Sequence, residues 1–237
     1  MKFFWFVAGA LILFSFAACD TTPSDPGPSP RVEEQQVDSA NSQKPPLRDM
    51  KATYENTDRV VWQRPNLIIS LLANNQDLGD KVVVDIGAGT GFFTKRLAPL
   101  AKKVIALDID QQFLNFIDST KVLEVPAPYY ERIETRLTPV DAPNLAPGEA
   151  DAVLLVNTFM FIENKREYLD KLKTAIKDGG RLVIVDFKRK RTTIGPEDRS
   201  LRTPLYVVED LLYEANYRNI EAIDTELNYQ YIVIADK

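Results

Sequence analysis

From residue 65 onward the apolar positions fall into short runs of two alternating kinds. Pro65 opens a helix over Asn66 to Ala73, with Leu67, Ile68, Leu71 and Leu72 at helical spacing. Lys81-Val82-Val83-Val84-Asp85 is a short β-branched run and predicts a buried strand. Phe92 to Leu100 then reads as a helix, Val104 to Leu107 as a second strand and Gln111 to Asp118 as a second helix. Arg132 to Val140 is the third expected strand and Ala152 to Val156 the fourth. A helix over Asn164 to Lys177 follows, ended by Asp178-Gly179-Gly180 in the manner of a glycine C-cap. Leu182 to Val185 is the fifth strand and Val207 to Ala215 the next helix. Ile220 to Leu227 and Tyr229 to Ala235 read as two strands joined by a tight turn at Asn228. Strands alternating with helices predict an α/β fold: a doubly wound, mostly parallel seven-stranded sheet with an antiparallel C-terminal edge hairpin.

The first 46 residues follow a different pattern. Phe3 to Ala18 is an unbroken uncharged run after Met1 and Lys2. It is shorter than the ~20 residues that cross a bilayer comfortably, and it ends in the small residues Ala17 and Ala18, as a cleaved signal does. From Asp20 to about Pro46, six prolines are interspersed with Ser, Thr, Gln, Asp and Glu. Such a composition cannot bury enough apolar surface to fold and predicts a semi-extended tether. The expected organisation is therefore a leader over 1–19, a tether over 20–46 and one folded domain over 47–237.

Composition narrows the chemistry. The formal net charge is −5, which disfavours nucleic acid as the main partner, because phosphate contacts call for a basic balance. The chain has no histidine, so His-ligated metals, His general bases and Ser-His-Asp triads are excluded. Its single cysteine is Cys19, at the edge of the leader, so no intrachain disulfide can form.

Asp85-Ile86-Gly87-Ala88-Gly89-Thr90-Gly91 follows a predicted strand and opens a predicted helix. Glycines there let the backbone turn sharply and approach a ligand closely. The dinucleotide fingerprint needs a small residue at position 92, where this chain has Phe92; its last glycine comes one residue early, at Gly91. Val104-Ile105-Ala106-Leu107-Asp108 ends a strand on a carboxylate, about twenty residues past the glycines, where a ribose diol would be held. Read alone, Asp108 is a strand-end cap or turn residue; the glycine loop at this distance favours the ribose-holding role.

On these residues the chain resembles the class I S-adenosylmethionine-dependent methyltransferases, which share a Rossmann-like sheet. Val140-Asp141-Ala142 resembles their adenine-contacting segment, Asp151 to Asn157 their fourth strand, and Asp178 to Asp186 their glycine-glycine and fifth-strand signature. Asp58 to Pro65 looks like an element found before the glycine loop in a subgroup of small bacterial members, some with lipoprotein-like leaders. The resemblance implies S-adenosylmethionine as cofactor. Gly87, Ala88, Gly89 and Gly91 would cradle its methionine part above Asp85. Asp108 would hold the ribose, Ile109 would pack on adenine, and Asp141 and Ala142 would border the adenine amino group. Tyr54 and Trp62 would close over the sulfonium, or simply pack as part of an N-terminal helix.

Methyl transfer from a sulfonium needs alignment more than a catalytic group. Two residues near the ends of strands four and five are candidates: Asn157 to orient a polar substrate, and Asp186 as a base or a structural strand-end acid. The basic run Lys188-Arg189-Lys190-Arg191 would recruit an anionic substrate or form a solvated loop. No Asn/Asp-Pro-Pro-aromatic motif follows strand four, where Asn157-Thr158-Phe159-Met160 stands. The expected function is methyl transfer to a small-molecule or membrane-associated acceptor. The alternative is an exported, catalytically silent domain that binds adenosine-type ligands. Ala17-Ala18-Cys19 resembles the lipobox of bacterial lipoproteins, although Phe16 replaces the usual Leu. It implies a membrane anchor through lipidated Cys19 on the exported side. An uncleaved anchor and a cytoplasmic product started at Met50 are the alternatives.

Overall fold

The computed structural model describes residues 58–237. The leader, Cys19, the tether, Met50 and Tyr54 lie outside the described residues. Helix α1 (Asp58–Gln63) and helix α2 (Pro65–Ala73) precede the sheet. Strand β1 (Val82–Ile86), helix α3 (Phe92–Leu97), strand β2 (Lys103–Asp108), helix α4 (Gln111–Glu124) and strand β3 (Ile133–Leu137) form the first half. Strand β4 (Ala150–Val156), helix α5 (Lys165–Ala175), strand β5 (Ile176–Phe187), helix α6 (Leu205–Glu214), strand β6 (Arg218–Ile223) and strand β7 (Gln230–Asp236) form the second.

The seven strands run in the order β3-β2-β1-β4-β5-β7-β6. Every pairing is parallel except those of β7, which is antiparallel to both β5 and β6. Chain order reverses between β1 and β4, which are direct neighbours. That reversal sends the loops after β1 and β4 in opposite directions and opens a crevice at their C-terminal ends.

The period-2 alternation of each strand builds two apolar layers. Along β4, Ala152, Leu154 and Val156 join one layer, with Ile68, Leu72, Phe93, Leu97 and Ile117 of helices α2 to α4. Val153 and Leu155 join the other, with Leu169, Leu172, Val208 and Leu212 of α5 and α6, and a register irregularity after Ala150 puts that residue in the same layer. Both faces are thus covered, as a parallel sheet requires.

Three local expectations are corrected. Helix α4 continues to Glu124 rather than stopping at Asp118. Its last turns expose Val122 and Leu123, so the apolar period that marks a buried helix fades while the helix itself continues. Asp178-Gly179-Gly180 is no helix cap. Helix α5 ends at Ala175, its C-cap Ile176 is extended, and the glycines belong to β5. A Cβ on Gly180 would lie 2.8 Å from the carbonyl of Asp151, so crowding against β4 explains that glycine. The C-terminal strands are joined across residues 224–229, a longer connection than a tight turn at Asn228, while the β7–β6 hairpin closes the sheet edge as expected.

Candidate functional site

The crevice beside the β1–β4 switch holds a cavity of about 330 Å³, lined by the glycine loop, the end of β2, the segment after β3 and the end of β4. The loop is shaped by hydrogen bonds to the neighbouring strand. Gly87 and Ala88 both donate their backbone N–H to the Leu107 carbonyl, at 2.8 and 3.0 Å. Gly87 has φ 72°, and a Cβ there would meet Thr158 Oγ1 at 2.2 Å, so both conformation and space demand glycine. Gly89 has φ 55° and lines the cavity, where a Cβ would meet no protein atom. Gly91, φ 84°, forms the N-cap of α3 and lies outside the lining.

Asp108 braces this loop. Its Oδ2 accepts from the N–H of Gly89 at 2.9 Å and its Oδ1 from the N–H of Asp110 at 2.9 Å. An ionised carboxylate has about four lone-pair positions. Two are taken by the backbone, and Asp108 lines the cavity with the remainder. Burial pushes its acidity constant up, while the Asp110 and Gly89 amides pull it back toward the ionised form. Ile109 stands beside it, 61% exposed and lining the same cavity. An exposed branched side chain next to a diol-sized acceptor group offers a flat apolar contact for a base.

Asp85 is placed differently. It is buried beneath the loop and accepts a hydrogen bond from Thr94 Oγ1 at 2.6 Å, which ties β1 to α3. Burial raises its pKa to about 6, against the lowering effect of the Thr94 hydrogen bonds and of the Arg59 charge. Ala88 and Asn157 line the cavity. Asp141 and Ala142 do not: Asp141 is exposed, with Lys171 Nζ 3.7 Å from its carboxylate, and the Ala142 carbonyl accepts from Thr138 Oγ1 at 2.8 Å. Thr138, Pro139 and Val140 of the same segment form the wall instead.

Asp186 is fully buried and outside the lining. Its Oδ2 accepts from the Met160 N–H at 2.8 Å, pinning the turn Phe159–Phe161 to β5. Burial raises its pKa to about 8, with Met160 and Lys165 opposing. The geometry fits a strand-end acid that positions a loop. Trp62 also lies outside the lining; its ring packs 6.1 Å from Phe187 and 6.2 Å from Tyr229. Of the basic run, Lys188 is committed to the 224–229 connection through the Leu227 carbonyl at 2.7 Å and Asp224 at 3.0 Å. Buried Arg202 donates to the carbonyls of Lys190 and Pro196 and to Thr192 Oγ1, holding the loop after β5 in shape.

Sequence reading missed several lining residues. Arg59 reaches the cavity from α1, its guanidinium 4.1 Å from the centre of the Phe92 ring. Phe113, Phe161, Ile162 and Tyr168 form an apolar side. Thr90 also lines the cavity, and its buried hydroxyl has no hydrogen-bond partner among the described residues. Arg59 and Thr90 lie in stretches that the sequence marks for other residues, and Phe113, Phe161, Ile162 and Tyr168 carry no local signal, because each is drawn from an otherwise ordinary helix or turn.

The sheet order, the glycine turn after β1 and the carboxylate ending β2 are similar to those of the class I S-adenosylmethionine-dependent methyltransferases. Residues 84–184 match the family model described as a methyltransferase domain. The chain is 29% identical over 146 residues to demethylmenaquinone methyltransferase of Tropheryma whipplei (strain Twist), an alignment covering 57% of this chain and 58% of the relative. It is 23% identical over 137 residues to a ubiquinone/menaquinone biosynthesis C-methyltransferase of Wigglesworthia glossinidia brevipalpis, covering 54% of this chain and 50% of that one. The chain thus spans between half and three fifths of these relatives' length. In fold it is similar to a SAM-dependent methyltransferase from Aquifex aeolicus, with TM-score 0.69 and 20% identity over 81% of this chain and 99% of that one. It is also similar to phosphoethanolamine N-methyltransferase 2 of Haemonchus contortus in complex with S-adenosyl-L-methionine, with TM-score 0.60 and 13% identity over 81% of this chain and 60% of that one.

S-adenosylmethionine is the cofactor of this class, and the residues present fit it. A partly satisfied carboxylate, a glycine turn open to the cavity, an exposed Ile109 and an unpartnered Thr90 hydroxyl match a diol, a charged amino-acid end, a flat base and a polar atom in turn. Among the described residues no cluster of acids could hold a metal ion.

Proposed function

We propose that this protein transfers a methyl group from S-adenosylmethionine to a small, largely apolar acceptor of the quinone type. The observation that carries the proposal is the cavity at the β1–β4 switch, in which the half-satisfied Asp108 carboxylate faces the same space as the glycine loop and Asn157. Bound there, the cofactor supplies a methyl group already activated on a sulfonium. The protein's part is alignment. Asp108 accepts from the ribose hydroxyls while its backbone partners hold it rigid. The glycine turn lets the backbone come close to the amino-acid end. Phe161, Ile162 and Tyr168 exclude water from the acceptor side. The names of the relatives from Tropheryma whipplei and Wigglesworthia glossinidia brevipalpis support a quinone-type ring as acceptor, and the apolar wall suits one.

Calorimetric titration of the full chain with S-adenosylmethionine, followed by a labelled-methyl screen of demethylated quinols, tests this reading. Binding and methyl incorporation are the expected result. Binding with no incorporation into any of the quinols would overturn the quinone-type acceptor and favour an adenosine-type binding domain.

We infer further that the chain is tethered to a membrane through lipidated Cys19. Ala17-Ala18-Cys19 and the proline-rich segment behind it support this. Among the described residues no helix is long and apolar enough to cross a membrane. Membrane fractionation of the parent and Cys19→Ala decides it, since a tether through Cys19 predicts release of the variant only.

A further inference from the structure

Four polar side chains from three distant stretches form one line across the sheet end. Arg59 donates Nε–H to Gln63 Oε1 at 2.6 Å, and Gln63 donates Nε2–H to Gln230 Oε1 at 3.0 Å. Gln230 in turn donates Nε2–H to Asn157 Oδ1. Gln63 and Gln230 are fully buried, and Arg59 is nearly so. The line therefore runs from helix α1 through β7 to the end of β4, and it finishes at the cavity wall.

Its direction is fixed at one end. A carboxamide can be turned either way, presenting oxygen or nitrogen, but a guanidinium only donates. Gln63 must face Arg59 with its oxygen, which leaves its nitrogen for Gln230. Gln230 must then face Gln63 with its oxygen, which leaves its nitrogen for Asn157. Asn157 is left to accept with its oxygen, so the part of its amide outside the line is the donating nitrogen. Turning any one amide over would set two N–H groups against each other in buried surroundings. Asn157 is also held by its backbone: its N–H donates to the Val185 carbonyl at 2.8 Å, and its φ of 59° is a left-handed conformation that asparagine tolerates.

We propose that Gln63 and Gln230 are positioning residues that lock Asn157 as a one-way hydrogen-bond donor to the methyl acceptor. The acceptor molecule then presents a lone-pair oxygen to Asn157, a ketone carbonyl or an ionised hydroxyl, close to the atom that receives the methyl. A group that can only donate, such as an ammonium, is rejected there. The inference rests on the methyl-transfer reading of this cavity and specifies the chemistry of its acceptor. It also suits a chain without histidine, because a donor beside an ionised hydroxyl keeps that group charged without a base.

Side-chain amide exchange, followed by nitrogen-15 NMR on the full chain, reads the line without cofactor or acceptor. The Nε2 protons of Gln63 and Gln230 are expected to exchange at least roughly tenfold more slowly than the Nδ2 protons of Asn157. Gln63→Glu places a carboxylate against Arg59 that accepts from both neighbours. Gln230 then turns over, Asn157 turns with it, and the Asn157 Nδ2 protons become protected from two residues away. Gln230→Met cuts the line without reversing it and leaves those protons unprotected. For the acceptor, 1-tetralone, a ketone, and 1-aminotetralin, its ammonium counterpart, are titrated in the presence of S-adenosylhomocysteine. The parent is expected to favour the ketone by about tenfold, and Gln63→Glu to lose that preference. Equal protection of Asn157 and Gln230 in the parent overturns the fixed direction. An unchanged ketone preference in a Gln63→Glu protein whose exchange pattern has inverted overturns the acceptor chemistry. Failure of S-adenosylhomocysteine to bind the parent would instead remove the methyl-transfer reading and leave the exchange pattern as it was.

Discussion

The two sides of the crevice are built in opposite ways. On the β1–β2 side, Gly87, Gly89 and Asp108 are close in sequence, and their contacts are loop-to-next-strand hydrogen bonds such as Gly89 N–H to Asp108. On the β4–β5–β7 side the parts come from residues 59, 63, 157, 186 and 230, and the strand order together with the packing of helix α1 against β7 brings them together. The first side works by local backbone geometry, and a substitution there breaks the turn or its brace. The second works by buried polar pairing across long sequence separations, and a substitution there changes which way groups face or whether they are charged.

The comparison breaks most sharply at Asp108. Asp108→Ala removes the expected diol acceptor and both backbone braces, so affinity for S-adenosylmethionine should fall by at least about 100-fold. Titration calorimetry checks this, and an affinity within threefold of the parent would take Asp108 out of the site. Gly87→Ala comes next. Its Cβ would stand 2.2 Å from Thr158 Oγ1 at a φ of 72°, so it should destabilise the fold by about 2–4 kcal/mol. Thr158→Gly in the same chain should restore part of that loss in denaturant melts, since it clears the clash but leaves the backbone strain.

On the other side the expected effect depends on pH. Asp186 has a folded pKa of about 8 against an ordinary 3.8, so the folded state holds a proton that the unfolded state has lost between those values. Stability should therefore fall as pH rises from about 4 to 8 and level off above, by a few kcal/mol. Asp85, raised to about 6, adds to the same slope at the acid end of that window. Asp186→Asn cannot ionise and should flatten the upper part of the slope. Melts at pH 5 and pH 9 decide it, and an equally steep fall in the variant would mean that Asp186 is charged in the folded protein.

The smallest effects belong to residues that family resemblance puts in the site and the fold keeps out of the cavity lining. Asp141→Ala should change S-adenosylmethionine affinity by no more than about twofold, because its exposed carboxylate faces Lys171 rather than the cavity. Trp62→Ala should likewise leave that affinity within about threefold, since its ring packs on Phe187 and Tyr229. The same titrations serve, and a tenfold loss in either would mean that the segment after β3 or the N-terminal helix moves when the cofactor binds.

How much of the site could be read from the chain follows the same division. The alternation of β-branched runs with helical spacing fixed the α/β sheet, since each strand buried on both faces must be apolar throughout. The glycine loop and Asp108 were legible because their separation reflects one strand, one turn and one helix. Helix α4 ran past its expected end because its last turns face solvent and carry no apolar period. Gly179 and Gly180 were misread as a cap because glycine marks crowding as well as turning, and only the neighbouring Asp151 carbonyl tells the two apart.

By itself, the sequence determined the class of fold, the glycine turn after the first strand and the absence of histidine chemistry, all of which depend on spacing or composition along one stretch. The tertiary structure alone decided that Arg59, Gln63, Gln230 and Asn157 form one line, that Asp186 braces a turn, and that Val140 rather than Asp141 faces the cavity. Those outcomes depend on which strands become neighbours. Neighbours are chosen by the burial of the whole sheet, which no local stretch of residues encodes.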